Sequence, residues 1–156
     1  MATIAVSRIL VPTDFSVFSE VALTYGKAMA EAFKAELHIL HVLEDPGEYA
    51  RKVESQAIVG RLREQMDLEA QEQLGSLLSE DERSSLRAQT LVKWGAPFVE
   101  IVRYARDNDI DLIAMGTHGR GAVKHMLLGS VAEKVVRKAP CPVLTVRHPE
   151  HEFVMP

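Results

Sequence analysis

Four glycines, Gly116, Gly119, Gly121 and Gly129, follow the apolar run Leu112-Ile113-Ala114-Met115, and Ser130 follows the last of them. Glycines in such a loop permit positive φ and let backbone N–H groups approach an anion with no Cβ in the way. Gly129 and Ser130 open a segment of helical period, whose first N–H groups lack intrahelical partners and whose peptide dipoles favour negative charge. Ser130 Oγ can donate to a phosphate oxygen, and Arg120, Lys124 and His125 add donors nearby. The chemistry indicated is phosphate binding. The simpler alternative is that the glycines shape a strand-to-helix turn and Ser130 caps the helix; their density directly after a buried run favours binding. The spacing matches neither the G-x4-G-K-[ST] phosphate loop nor the dinucleotide fingerprint, because Lys124 stands where the latter needs glycine.

A second loop carries an acid. Ile9-Leu10-Val11 runs into Pro12-Thr13-Asp14-Phe15-Ser16, which places Asp14 just beyond a strand end. The remaining reactive side chains form weaker constellations. His38 and His41 are three apart in one apolar run, so strand alternation sends them to opposite faces and a shared metal is disfavoured; they read as core or strand-end histidines. His118 lies inside the glycine loop and either touches ligand or faces solvent. His148 and His151 fall in a polar tail, and the adjacent acids Glu44 and Asp45 read as solvated rather than as a general base. Cys141, flanked by Pro140 and Pro142, reads as a structural thiol, and no serine occupies a G-x-S-x-G elbow. No catalytic residue and no metal-ligand set is assigned.

The elements that position these loops are legible from periodicity. Ile9–Val11, Leu37–Val42, Leu112–Met115 and Val143–Val146 are dense apolar runs, expected as central strands covered on both faces, while Ala88–Trp94 alternates and is expected nearer an edge. Between them, Phe18, Val21, Ala22, Tyr25, Ala28, Met29, Ala32 and Phe33 predict a helix, with Ser16 or Ser19 as N-cap. Ile58, Leu62, Met66, Ala70, Leu74 and Leu78 predict a long amphipathic one. Phe98, Ile101, Val102 and Ala105 predict a third behind Pro97, and Val131, Val135, Val136 and Ala139 a fourth. The resulting β-α-β-α-β-α-β-α-β order predicts an α/β fold: an open five-stranded parallel sheet flanked by helices on both faces, of Rossmann-like or flavodoxin-like architecture. Ligands of such sheets bind beyond the carboxyl ends of the strands where strand order reverses, here expected between the first and fourth strands.

A chain of 156 residues predicts one domain, with a core of about residues 8–147 and an unstructured tail, 148–156. Leu43–Val53 is expected as a mobile surface loop. The net charge of -4 argues against general attraction to nucleic acid, so any phosphate site must be local. A single cysteine forbids an intrachain disulfide and suits a reducing compartment. Arg8 interrupts the first apolar stretch, against a signal peptide, and no apolar run approaches the roughly 20 residues of a membrane helix. A cytoplasmic protein with no membrane partner is expected.

The long-spaced motif Gly116-x2-Gly119-x9-Gly129-Ser130, the following Val131-Ala132-Glu133-Lys134-Val135-Val136, and Ala139-Pro140-Cys141-Pro142-Val143 resemble the nucleotide-binding signature and last strand of the universal stress protein family. Ile9-Leu10-Val11-Pro12-Thr13-Asp14 resembles that family's first strand and acidic loop, although many relatives carry glycine where this chain has Phe15. The resemblance runs from Arg8 to Arg147 and points to the ATP-binding subgroup, of adenine nucleotide alpha hydrolase-like fold. It implies that Asp14 contacts ribose or a metal-bound water, that Val42 backbone hydrogen-bonds adenine, and that Pro12 and Thr13 line the base side. Met115 and Gly116 would border the ribose and phosphates, and Gly119, Gly129, Ser130 and Val131 would hold the phosphates. The implied function is a regulatory, stress-response module that binds ATP, with Mg²⁺ expected because few cationic side chains here offset a triphosphate. Alternatives are a slow ATPase or phosphotransferase at the same site, a nucleotide-free dimeric interaction module, and an AMP or cyclic-nucleotide binder. The resemblance also implies a homodimer through Val143–Val146, a strand whose apolar edge needs cover.

Overall fold

A computed structural model describes residues 4–47, 56–120 and 128–148. In chain order the elements are β1 (Arg8–Pro12), α1 (Val17–Phe33), β2 (Glu36–Leu43), α2 (Gln56–Ser76), α3 (Glu80–Ser85), β3 (Gln89–Trp94), α4 (Pro97–Asp107), β4 (Leu112–Gly116), α5 (Ser130–Lys138) and β5 (Val143–Val146). The strands form one parallel sheet in the order β3-β2-β1-β4-β5. β1 is central, and the strand order reverses between β1 and β4. The expected open α/β sheet is what the chain forms, and alternating β3 is at an edge.

One dense run, grouped by its composition with the central strands, has instead the exposed edge that the expected dimer contact requires. Val143–Val146 is the other edge strand, paired with β4 alone and half-buried over most of its length. Apolar density reports burial of the two faces; it carries no information about a neighbour on each side.

The sheet separates two apolar layers. Ile9, Val11, Leu37, Ile39, Leu112 and Ala114 pack against α1, and Leu74 and Leu78 join them. Leu10, Leu40, Ile113 and Met115 pack against Ile101, Tyr104 and Ala105 of α4 and Ala132 and Val135 of α5. The buried face of α1 differs from the predicted stripe. Ser19, Ala22, Leu23, Gly26 and Ala30 face the sheet, and Tyr25 and Phe33 are half-exposed. The reason is proximity: a Cβ on Gly26 would clash with a Val11 methyl. Small residues let α1 lie close on the sheet, so the larger apolar side chains of the helix are turned aside.

The long helix also departs from expectation. It ends at Ser76, and Ser79 starts α3 with a reciprocal capping box to Glu82. Leu78 is buried in the connection rather than on a helix face. Along α2 only Ala70 and Leu74 are buried, and Ile58 and Leu62 are exposed, so its first half leaves the core. On α5, Val136 is likewise half-exposed. Ser16, not Ser19, is the N-cap of α1. Most of the predicted loop after β2, the tail beyond His148, and Gly121, Lys124 and His125 lie outside the described residues.

Candidate functional site

The carboxyl ends of β1, β2 and β4 open into one cleft of about 660 Å³, within the range of about 300–1,000 Å³ typical of small-molecule sites. Pro12, Thr13, Asp14, Val42, Met115, Gly116, Gly119, Arg120, Gly129, Ser130 and Val131 all line it. The residues singled out in the sequence are thus brought together at the β1/β4 switch point.

The acidic loop is built by its own hydrogen bonds. Thr13 N–H donates to the Leu40 carbonyl (2.9 Å), and Phe15 N–H donates to Thr13 Oγ1 (3.0 Å). Phe15 sits at φ 62°, the left-handed region usually occupied by glycine. Its ring packs on that of His41, with centroids 4.4 Å apart. Asp14 Oδ1 accepts from Ser16 N–H and Oγ, and Oδ2 accepts from Arg120 N–H at 2.9 Å. Burial alone would raise the Asp14 pKa, but these bonds outweigh it and hold the carboxyl below its ordinary 3.8. The carboxylate is therefore ionised and joins the first loop to the glycine loop.

The glycines serve this closure. A Cβ on Gly116 would lie 2.9 Å from the Phe18 carbonyl oxygen, one on Gly119 2.6 Å from Asp14 Oδ2, and one on Gly129 3.1 Å from the Thr117 carbonyl oxygen. Gly129 N–H in turn donates to that Thr117 carbonyl. Side chains at these positions would separate the β4 loop from α1, from Asp14 and from the start of α5. Gly129 is the N-cap of α5 without a side-chain cap bond, so the simpler reading of Ser130 as the cap does not hold; Ser130 is the exposed first residue of the helix.

Opposite the loop the wall is apolar, formed by Leu40, Val42, Ile101 and Met115, with Met66 reaching in from α2. The cleft thus pairs an apolar slot with a set of backbone donors at a helix N-terminus. That combination accepts a flat apolar ring carrying anionic groups.

His41, read from the sequence only as a core or strand-end histidine, is a further contributor. It lines the cleft, its Nδ1 2.8 Å from the Thr13 carbonyl oxygen. Strand alternation does put it on the face opposite His38, whose Nδ1 lies 2.8 Å from Tyr104 Oη. His118 is buried, with Nδ1 3.0 Å from Thr117 Oγ1, and it too lines the cleft. Glu44 lines the mouth, whereas Asp45 pairs with Arg63. Cys141 is half-buried, and burial pushes its thiol pKa up, as a structural cysteine requires. Among the described residues no group of three or more His, Cys, Asp or Glu side chains could hold a metal, and no helix is long and apolar enough to cross a membrane.

Residues 5–147 match the model of the universal stress protein family. The chain belongs to that family. Universal stress protein MJ0577 of Methanocaldococcus jannaschii is 32% identical over 152 residues, covering 90% of this chain and 94% of that protein; the MJ0577 structure gives a TM-score of 0.74 over 92% of this chain and 97% of its own. Universal stress protein UspA from Lactobacillus plantarum is 28% identical, with a TM-score of 0.73 over 92% and 99% of the two chains. A universal stress protein solved in complex with cAMP is 26% identical, with a TM-score of 0.59 over 91% and 97%. The similarity spans both halves of the cleft, the acidic loop near the start of the domain and the glycine loop near its end.

Proposed function

We propose that this universal stress protein binds ATP in the β1/β4 cleft and acts as a regulatory module in which binding, not turnover, is the main act. The observation that carries the reading is the meeting, in one cleft, of an apolar slot with the glycine loop and the N-terminus of α5. Adenine suits the slot beside Val42, Pro12 and Thr13. The phosphates suit the backbone of Gly119, Gly129, Ser130 and Val131, with Arg120 beside them and Met115 and Gly116 between. Asp14 faces the ribose. Mg²⁺ fits as a companion of the phosphates: among the described residues Asp14 is the one cleft carboxylate beside the glycine loop, both its oxygens already accept hydrogen bonds, and the charge to be neutralised is the ligand's.

A cyclic or monophosphate nucleotide is the second reading, favoured by the relative solved with cAMP. Native purification followed by denaturation and mass spectrometry distinguishes them. Release of ATP or ADP, abolished in Gly129→Val, supports the first; release of cAMP or AMP supports the second. No released nucleotide and no thermal shift with ATP and Mg²⁺ would return the glycines to a turn-forming role.

The reading includes a single domain with its core at about residues 8–147, a cytoplasmic location, and a homodimer through β5. The edge position of Val143–Val146 supports the last, because an apolar strand with one free side invites pairing. Sedimentation at micromolar concentration should give a dimer; a monomer refutes it.

A further inference from the structure

His41 stands near the end of β2 and lines the cleft. Its Nδ1 meets the Thr13 carbonyl oxygen at 2.8 Å, a group that only accepts. Nδ1 therefore carries the proton, and the neutral ring presents Nε2 as a lone-pair acceptor. Among the described residues Nε2 makes no hydrogen bond, and it is not sealed from solvent. The tilted Phe15 ring fixes one side of the imidazole, so both tautomer and orientation are set before any ligand arrives. Burial keeps the ring neutral at physiological pH by pushing its pKa below 6.5; the Thr13 carbonyl and the Asp14 carboxylate pull the other way, and Arg120 reinforces the burial.

His41 and Asp14 flank Thr13 on the side of the cleft that leads from β2 to the glycine loop. The base, in the nucleotide reading on which this inference rests, occupies the apolar slot, and the phosphates occupy the glycine loop. Between them His41 Nε2 is an acceptor that lacks a donor, whereas both Asp14 oxygens already accept. The donors a nucleotide carries between base and phosphate are its sugar hydroxyls. We infer that His41 Nε2 accepts a hydrogen bond from a ribose hydroxyl, making His41 a specificity-determining residue that favours ribonucleotides over their deoxy counterparts.

The test is calorimetric titration with ATP, 2′-deoxy-ATP, 3′-deoxy-ATP and ITP on the wild type, His41→Phe and His41→Gln. In the wild type one deoxy analogue should bind about three- to tenfold more weakly than ATP, the effect of one lost hydrogen bond. His41→Phe keeps a ring against Phe15 and should erase that penalty by weakening ATP alone, leaving the ITP response as in the wild type. His41→Gln, which retains an acceptor, should restore part of it. Equal binding of ATP and both deoxy analogues by the wild type overturns the inference without any variant. A deoxy penalty that persists in His41→Phe also overturns it, as does a change confined to ITP, which would place His41 against the base. Should His41→Phe not fold, the wild type and His41→Gln decide. A wild type that binds none of the four nucleotides defeats the nucleotide reading itself, a result distinct from tight binding that ignores the hydroxyls.

Discussion

Gly116→Ala tests how the glycine loop is held. The new Cβ would lie 2.9 Å from the Phe18 carbonyl oxygen, 3.0 Å from its carbonyl carbon and 3.2 Å from the His118 carbonyl oxygen. All of these are backbone atoms. Phe18 belongs to the first turn of α1, and His118 belongs to the loop itself, so neither can rotate out of the way. Relief demands a backbone shift of α1 against β4, an overpacking cost of about 1–3 kcal/mol. In a domain of this size each kcal/mol lowers the melting temperature by about 2–4 °C, so a loss of about 2–12 °C is expected. Gly119→Ala is the paired control. Its Cβ would clash with Asp14 Oδ2 at 2.6 Å, the end of a side chain that can turn. It should cost less than about 1 kcal/mol of stability, within the range of ordinary substitutions, while displacing Asp14 from Arg120 N–H and weakening nucleotide binding. Differential scanning calorimetry, with and without ATP and Mg²⁺, reads both effects. A Gly116→Ala protein that melts with the wild type, or a Gly119→Ala protein that loses more stability than Gly116→Ala, would refute the reasoning.

Other consequences follow from named contacts. His38 is buried, and its Nε2 has no hydrogen bond, the Glu36 carboxylate being 3.6 Å away. Burial, opposed by Glu36, holds its pKa below 6.5, so the unfolded chain takes up a proton first and stability falls as pH drops through 6.5 until the folded value is reached. His38→Phe should lessen the drop in urea midpoint between pH 7.5 and 5.5; an unchanged drop assigns it elsewhere. Asp14→Asn removes a carboxylate that accepts from Ser16 and Arg120, with an expected cost of about 1–3 kcal/mol at pH 7 in urea titration. That stability is present above the ordinary 3.8 and lost as pH falls through the lowered folded value, so the variant should show a flatter acid limb. Trp94 Nε1–H donates to Asp67 Oδ1 at 3.1 Å, and Arg63 lies over the ring; Trp94→Phe should cost about 1 kcal/mol through the lost bond, read by chemical unfolding followed by circular dichroism.

The α/β class, the alternating order of strands and helices and the two loops that meet in the cleft were all legible in the chain, because short-range periodicity and glycine spacing are local properties. Residues as distant as Asp14 and Gly129 could be assigned to one site, since parallel strands with right-handed crossovers place their loops on one edge of the sheet. What local patterns could not supply was the distance between elements. The close approach of α1 to Val11 decided that Ala22, Gly26 and Ala30 are inside and Tyr25 half outside. The number of neighbours of a strand is likewise a tertiary fact: Val143–Val146 is as dense as the central runs, and the sheet order decides that it is an edge. His41 gives the same lesson at the site. Its alternation in β2 was readable, but its tautomer is fixed by the Thr13 carbonyl and its orientation by Phe15, contacts that exist only once β1 and β2 lie side by side.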